Sequence, residues 1–316
     1  MPLLEHAGMF EGLYCDLNRR GYVHPDPLEF LYDYNDPSDR EIVGLIAGSL
    51  AHGRVVQILK SVQCALRRME SSPAHFLRDA SEYSLKRNFV GFRHRFSTGE
   101  NLTAMLMGVK RVIERYGSLR DCFASALNDG DETVLPALSA FAKELGSVGR
   151  CGHLLPDPSR RSACKRLNLF LRWMVRCDEV DPGGWDAIPA AKLIIPLDTH
   201  MHRIGLALGA TRRKTADMRT ALEITDAFRR ISPDDPVRYD FALTRLGIRS
   251  DMDLSEFLEL CTARMTTLRS HHVRKSLLRI DAPTARKYRD TCRKDCGGRN
   301  NPIRYNAVTE DGNGMN

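Results

Sequence analysis

The chain has 316 residues, of which 42% are hydrophobic and 28% are charged, and its formal net charge is +7. This length supports one large domain or two of ordinary size with a buried core, and the hydrophobic and charged fractions lie close to the globular averages. No stretch approaches about 18 consecutive apolar residues, which excludes a membrane-spanning helix. The N-terminal string MPLLEHAGMFEGLYCDLNRRG lacks the basic and then apolar order of a signal peptide. The nine scattered cysteines are typical of reduced thiols, so we expect a cytoplasmic protein.

Apolar residues at helical spacing dominate the first half of the chain. Ser38 is predicted to cap the second helix, with Glu41 completing a capping box and Gly53 following the helix end. Gly, Pro and Ser crowd residues 146–160, which we expect to form a loop between two helical groups. The helices predicted before this loop cover residues 3–20, 38–51, 54–70, 101–116, 118–128 and 132–145.

The second half continues the helical pattern after a turn-rich stretch at 178–198. Beyond about Ala282 the chain is polar, and the last twenty residues are expected to be disordered. Twelve Lys or Arg and three Asp lie between Arg264 and Arg304, so this segment holds the whole basic excess. Such a segment either binds a polyanion such as DNA or serves only solubility. The helices predicted here cover 161–177, residues from Thr199 onward, 215–231, 236–248 and 253–268.

A helix over 161–177 would place a basic stripe opposite its apolar face. Lys165 lies in the middle of this stripe, which is either an ordinary solvated face or a lysine nucleophile directed at a phosphate-rich substrate. In the second interpretation, neighbouring arginines disfavour the charged form of the lysine and so activate its amine. The stripe consists of Arg161, Lys165, Asn168, Arg172 and Arg176.

The string LIIPLDTHMHRIGLALG places Asp198 just before a helix. Its carboxylate can cap that helix, which is the simplest interpretation. Asp198, His200 and His202 are also residue types that bind metals. However, His200 and His202 are two positions apart on a helix and point in nearly opposite directions, so no metal site is predicted.

The string PLDTHMHRI resembles the segment around the catalytic aspartate of helix-hairpin-helix DNA glycosylases. The string CKRLNLFLRWMVR, and its distance from Asp198, resemble the lysine-bearing helix of the archaeal 8-oxoguanine DNA glycosylase branch. Together with EIVGLIAGSLAHGR and VRYDFALTRLGI, these motifs resemble an uncharacterised bacterial family, domain of unknown function 2400. That family is distantly related to the glycosylases, and the resemblance covers residues 5–250.

The resemblance implies an all-α, two-lobed glycosylase-like domain over residues 1–250 with a central cleft. C-terminal helices over 251–281 and a basic tail over 282–316 would follow. It also implies a bifunctional DNA glycosylase and lyase of base excision repair, which extrudes an oxidised purine from duplex DNA. Lys165 would be the catalytic nucleophile, assisted by Asp198. The residues expected to contact DNA are Arg161, Asn168, Arg172, His52, Arg54, His200 and His202.

Several alternatives remain open from the sequence. DPGGWDAIP stands where most such glycosylases have an L-P-G-V-G-type hairpin, which favours a catalytically inactive nucleic-acid-binding protein of the same fold. His52 and Arg54 either fill the gap left by the base and contact phosphate, or form a polar helix terminus. Tyr239 and Asp240 match the family, with packing and helix entry as their expected roles. No cofactor, no metal and no membrane partner is expected.

Overall fold

The computed structural model describes residues 2–160, 162–248, 254–255 and 257–259. Their regular structure is almost entirely helical, which confirms the all-α prediction. The exception is an antiparallel hairpin of β1 (Arg93–His94) and β2 (Ser97–Thr98). The α-helices are α1 (Ala7–Leu17), α2 (Pro37–Leu50), α3 (Val55–Arg67), α4 (Pro73–Asp79), α5 (Glu82–Asn88), α6 (Gly99–Tyr116), α7 (Leu119–Ala124), α8 (Leu135–Leu145), α9 (Lys165–Val175), α10 (Thr199–Ala207), α11 (Met218–Arg229) and α12 (Asp240–Ile248).

Some sequence predictions fall outside this range. The boundaries expected near residues 250 and 281, and the basic tail over 282–316, lie outside the described residues. Of the helix predicted over 253–268, Leu254 and Phe257 are described, and both are buried against the core. In the part of the chain that the structure covers, no helix is both long and apolar enough to cross a bilayer.

The start of α2 differs from the sequence prediction. Asp36 caps this helix instead of Ser38, because its carboxylate accepts hydrogen bonds from the first free backbone N–H groups, at 2.8 Å from Ser38 N. Glu41 is buried and closes no capping box. It accepts a hydrogen bond from Leu119 N at 2.8 Å instead, and so ties α2 to the start of α7.

Close packing of α2 on α9 positions the helix that carries Lys165. A Cβ atom on Gly48 would lie 3.1 Å from the Arg166 carbonyl oxygen, so only glycine allows the two backbones to approach this closely. Phe170 of α9 continues this contact into an aromatic cluster. Its ring lies edge-on to Trp185 with centroids 5.1 Å apart and is stacked with Phe141 of α8. Helix α9 is therefore fixed on several sides.

A second close approach, between α6 and α8, generates a stability prediction. A Cβ atom on Gly108 would lie 1.9 Å from the Leu145 carbonyl oxygen, whereas one on Gly12 of α1 would meet nothing within 4 Å. We expect Gly108→Ala to lower the free energy of unfolding by about 1–3 kcal/mol through overpacking. Gly12→Ala should raise it by up to about 1 kcal/mol, because alanine favours helix. Urea denaturation measures both, and equal effects of the two changes would contradict the close approach.

Candidate functional site

Helix α9 begins at Lys165, four residues later than the sequence predicts. Cys164 precedes it with a φ of 48°, a left-handed conformation that a helix interior does not contain. The expected helical turn from Arg161 to Lys165 is therefore wrong, and Arg161 itself lies outside the described residues. Lys165 occupies the first helical position, where its side chain leaves the end of α9 and is 35% exposed.

Lys165 and Asp198 meet across two elements, as a shared site requires. The Lys165 Nζ atom lies 3.6 Å from Asp198 Oδ2. The other carboxylate oxygen, Oδ1, accepts a hydrogen bond from Met201 N at 2.8 Å and so caps α10. Asp198 therefore caps α10 with one oxygen, as the simplest interpretation predicts, while its other oxygen faces the lysine amine.

A cavity of about 700 Å³ opens at this pair. Its wall includes the starts of both α9 and α10, since Cys164, Lys165, Arg166, Asp198 and Thr199 all line it. The positive ends of two helix dipoles consequently meet at the cavity, an arrangement that favours anionic groups. Other parts of the wall come from the segments around residues 25–27, 51–58 and 244–248.

Three residues of the predicted basic stripe, Asn168, Arg172 and Arg176, are buried in the protein interior. Arg172 is 2% exposed and Asn168 is 1% exposed. Asn168 Nδ2 donates to the Ala163 carbonyl at 3.1 Å. The prediction of an exposed stripe is wrong for these residues because α9 is packed on both faces. Arg172 nevertheless lines the cavity, whereas Asn168 does not.

Arg172 belongs to a buried ion network with Arg176. Arg172 Nη1 lies 2.5 Å from Asp240 Oδ2, and its Nε lies 3.2 Å from Asp181 Oδ1. Arg176 pairs with Asp181 as well and with Asp235 at 2.9 Å. The positive charge of Arg172, which was expected to help activate Lys165, is thus balanced by carboxylates. Arg172 acts as a structural link between α9 and α12.

Like Arg172, Asp240 both belongs to this network and lines the cavity. It is 2% exposed, and its Oδ1 atom has no hydrogen-bond partner among the described residues. Burial raises the pKa of Asp240 to about 6, because the attraction of Arg172 only partly offsets the loss of hydration and Asp198 adds repulsion. A carboxyl group that can hold or release a proton near neutral pH therefore faces the cavity.

Two of the three histidines predicted to contact DNA line the cavity, and the third does not. His52 lines the cavity, where its ring lies edge-on to His94 with centroids 4.6 Å apart. Burial lowers the pKa of His52 to about 4, so its imidazole is neutral at pH 7. His200 also lines the cavity, whereas His202 does not and donates its Nε2–H to the Arg213 carbonyl at 2.8 Å. Arg54 is exposed just before α3.

Sequence analysis did not predict that Asp240 and Arg166 line the cavity. Arg166 lines the cavity and donates from Nη1 to the Ser49 carbonyl at 3.0 Å. The string VRYDFALTRLGI contained the signal for Asp240, since an acidic residue within an apolar helical run needs a buried partner. Across the ranges described, no group of three or more His, Cys, Asp or Glu side chains is arranged to hold a metal ion.

The raised pKa of Asp240 generates a stability prediction. The usual value is 3.8, so between about pH 4 and pH 6 the folded protein holds a proton that the unfolded chain has released. The stability that this carboxyl contributes is therefore fully present below about pH 4 and is lost as pH rises toward about 6. The Asp240→Asn variant serves as the reference, because an amide at this position does not titrate.

Relative to Asp240→Asn, the free energy of unfolding of the unmodified protein should fall over this pH range. Urea denaturation at a series of pH values measures the difference between the two proteins. A difference that does not change with pH would show that Asp240 is already ionised in the folded protein.

The comparisons with known proteins give a family and nothing closer. The family model described as Protein of unknown function (DUF2400) matches residues 26–249, more than two thirds of the chain. Neither a curated protein nor a solved structure matches. The matched range contains α2 to α12 and every residue of the cavity wall except Pro25. The chain therefore belongs to the DUF2400 family.

Proposed function

We propose that this protein is a bifunctional DNA glycosylase and lyase that acts on an oxidised purine in duplex DNA. The observation that carries the proposal is the 3.6 Å approach of Lys165 Nζ to Asp198 Oδ2 at the wall of a cavity of about 700 Å³. The resemblance of the surrounding motifs to two-lobed helix-hairpin-helix glycosylases supports the same assignment. In that architecture the cavity is the cleft between the lobes.

The size and chemistry of the cavity suit one extruded nucleotide. Sites for small organic ligands commonly enclose about 300–1,000 Å³ and combine an apolar lining with a few polar groups. Here Ile58 and Leu169 supply apolar surface, and His52 and Asp240 supply polar groups. The start of α9 at the wall has no side-chain cap, so it offers free backbone N–H groups to a phosphate.

The proposed reaction begins when the Lys165 ammonium, which is paired with Asp198 at rest, releases a proton to water and becomes a neutral amine. Its lone pair forms a bond to C1′ of the extruded nucleotide while the bond from C1′ to the base breaks, and the base leaves with the bonding electrons and takes up a proton. The amine loses its proton and the sugar ring opens, which gives an imine between Lys165 and C1′. Loss of a proton from C2′ then expels the 3′ oxygen and cleaves the strand.

Asp198 stabilises the positive charge that develops on the sugar as the base leaves. Its carboxylate is held in place by the hydrogen bond from Met201 N, so it needs no reorganisation during the reaction. Its ion pair with Lys165 also keeps the amine at the cavity wall in the absence of DNA.

The nucleophile assignment predicts the loss of a covalent intermediate. Borohydride should trap the unmodified protein on duplexes that carry an oxidised purine or an abasic site, and Lys165→Gln should abolish trapping. DNA binding should persist, because the cavity wall retains both helix starts and Arg166. Lys110→Gln is the matched control, since Lys110 also pairs with a carboxylate, Glu114 at 3.7 Å, but does not line the cavity.

Denaturing gels measure this trapping, and the control should trap as the unmodified protein does. Trapping that survives Lys165→Gln would assign the chemistry to another amine. Binding without trapping on any duplex would instead favour a catalytically inactive nucleic-acid-binding protein of the same fold.

The role of Asp198 predicts a separate effect on rate. Asp198→Asn keeps a side chain that caps helices well, so the fold and DNA binding should be retained. Base release in single-turnover assays should slow by roughly 10²–10³-fold, the effect of removing one preorganised charge or donor in other enzymes. Asp217→Asn is the matched control, because Asp217 likewise caps a helix, α11, and pairs with Arg213, but does not itself line the cavity. An unchanged rate in Asp198→Asn would limit Asp198 to capping.

A further inference from the structure

The turn between β1 and β2 presents an arginine and a phenylalanine to solvent. His94 pairs with Ser97, so Arg95 and Phe96 alone form the two-residue loop. Phe96 is 69% exposed. Arg95 has a φ of 53°, and in a two-residue hairpin the first loop position with positive φ is usually glycine. We call these two residues the hairpin tip.

The hairpin tip is fixed to the cavity wall from one side by His94. This residue is 1% exposed, and its Nε2 atom lies 3.1 Å from the His52 carbonyl oxygen, to which it donates. Its other ring nitrogen accepts from Ser61 Oγ at 2.9 Å. Since His52 and Gly53 line the cavity, this hydrogen bond connects the hairpin to the cavity wall.

The other side of the hairpin tip touches the segment that returns to the cavity. The Phe96 ring lies 5.4 Å from the ring of His153, in a short helical turn over Gly152–Leu154. Pro156, just after that turn, lines the cavity. The guanidinium of Arg95 lies 5.6 Å from the Phe96 centroid and reaches back to Gly53. The exposed Phe96 ring thus lies close to two segments that continue into the cavity wall, one at Gly53 and one at Pro156.

The charges around the hairpin tip are positive and uncompensated. Arg54, Arg93 and Arg95 are all exposed. In the residues described here, no carboxylate pairs with any of the three. Guanidinium groups flanking an exposed ring match a stacked base between two phosphates, because the ring can stack on a base while the arginines pair with the backbone.

We propose that the hairpin tip enters the base stack beside the extruded nucleotide, with Phe96 stacking on the neighbouring base and Arg93 and Arg95 contacting the flanking phosphates. This inference rests on the proposed function, because it takes the cavity as the site of an extruded nucleotide. It also transfers the gap-filling role expected of His52. The His52 ring is packed against His94 in the cavity wall and does not project from the surface as Phe96 does.

The test compares the affinity of the full-length protein for two duplexes of the same sequence. One is intact, and the other carries a tetrahydrofuran abasic analogue, which leaves a gap in the stack and cannot form an imine. The unmodified protein should bind the second duplex more tightly. Phe96→Ala should reduce this preference about tenfold, the order of effect expected when one base-to-aromatic stack is removed.

Tyr83 offers a matched control. Its side chain is 70% exposed and lies under Arg87 at 5.8 Å, much as Phe96 lies under Arg95, but it is on α5 and does not line the cavity. Tyr83→Ala should keep the full preference, and Phe96→Trp should keep it as well because it retains a stacking ring. Thermal unfolding monitors the fold of each variant, which an exposed side chain should not affect.

The outcomes separate this inference from the proposed function. A Phe96→Ala protein that keeps its full preference for the abasic analogue would overturn the role of the hairpin tip, even if Lys165-dependent trapping is observed. A loss confined to Phe96→Ala would support it. An unmodified protein that shows no preference between the two duplexes would also overturn it, and the absence of any trapping would then overturn the proposed function as well.

Discussion

The guanidinium of Arg172 is almost fully buried and bridges Asp181 and Asp240 from two turns along α9 beyond Lys165. Removing one partner of such a pair leaves an unpaired charge in the interior, which costs roughly 3–5 kcal/mol. The start of α12, the turn over residues 178–181 and α9 therefore have one favourable relative arrangement. The packing of Gly48 against Arg166 fixes the same helix from the side of α2.

This constraint determines where the lysine amine can be. Lys165 is the first residue of a helix that cannot rotate or slide, so its side chain can reach only the cavity side of the helix end. Asp198 is equally constrained, because one oxygen is engaged by the start of α10 and the other remains directed at the amine. The pair is thus preorganised by two helix starts, which is the feature that electrostatic stabilisation of a developing charge requires.

Asp240 connects the buried network to the same cavity. Arg172 holds one of its oxygens, and the other has no partner among the described residues. Structural and chemical roles therefore overlap in this residue. Burial of the Asp240 carboxylate is tolerated because Arg172 is adjacent. The loss of hydration is only partly offset, however, and it raises the pKa of Asp240. The repulsion between Asp198 and Asp240 links their charges across the cavity.

Much of the helical fold follows from local patterns in the sequence. Helices α2, α6 and α8 were predicted from apolar spacing within a few residues of their observed ends. Caps were harder to assign, because Asp36 and Ser38 both suit a helix start and only the backbone geometry selects Asp36. The short β1–β2 hairpin was missed, since RHRFST has no glycine at the turn to signal it.

The site was predictable in part. Lys165 and Asp198 were identified from their motifs, and the structure places their side chains in contact range. The burial of Arg172 and Asn168 was not predictable from a helical wheel. A wheel shows which side chains share a face, but only the arrangement of α12 and the turn at 178–181 shows that the polar face is also buried. Exposure of Phe96 likewise depends on contacts that are distant in sequence.

The most direct test of this account is the identity of the residue that becomes attached to DNA. After borohydride trapping on an abasic-site duplex and digestion with nuclease and trypsin, mass spectrometry can locate the sugar remnant on the protein. The account predicts the remnant on Lys165, within the peptide 162–166. A remnant on any other amine would contradict the assignment of Lys165 and Asp198 as the catalytic pair.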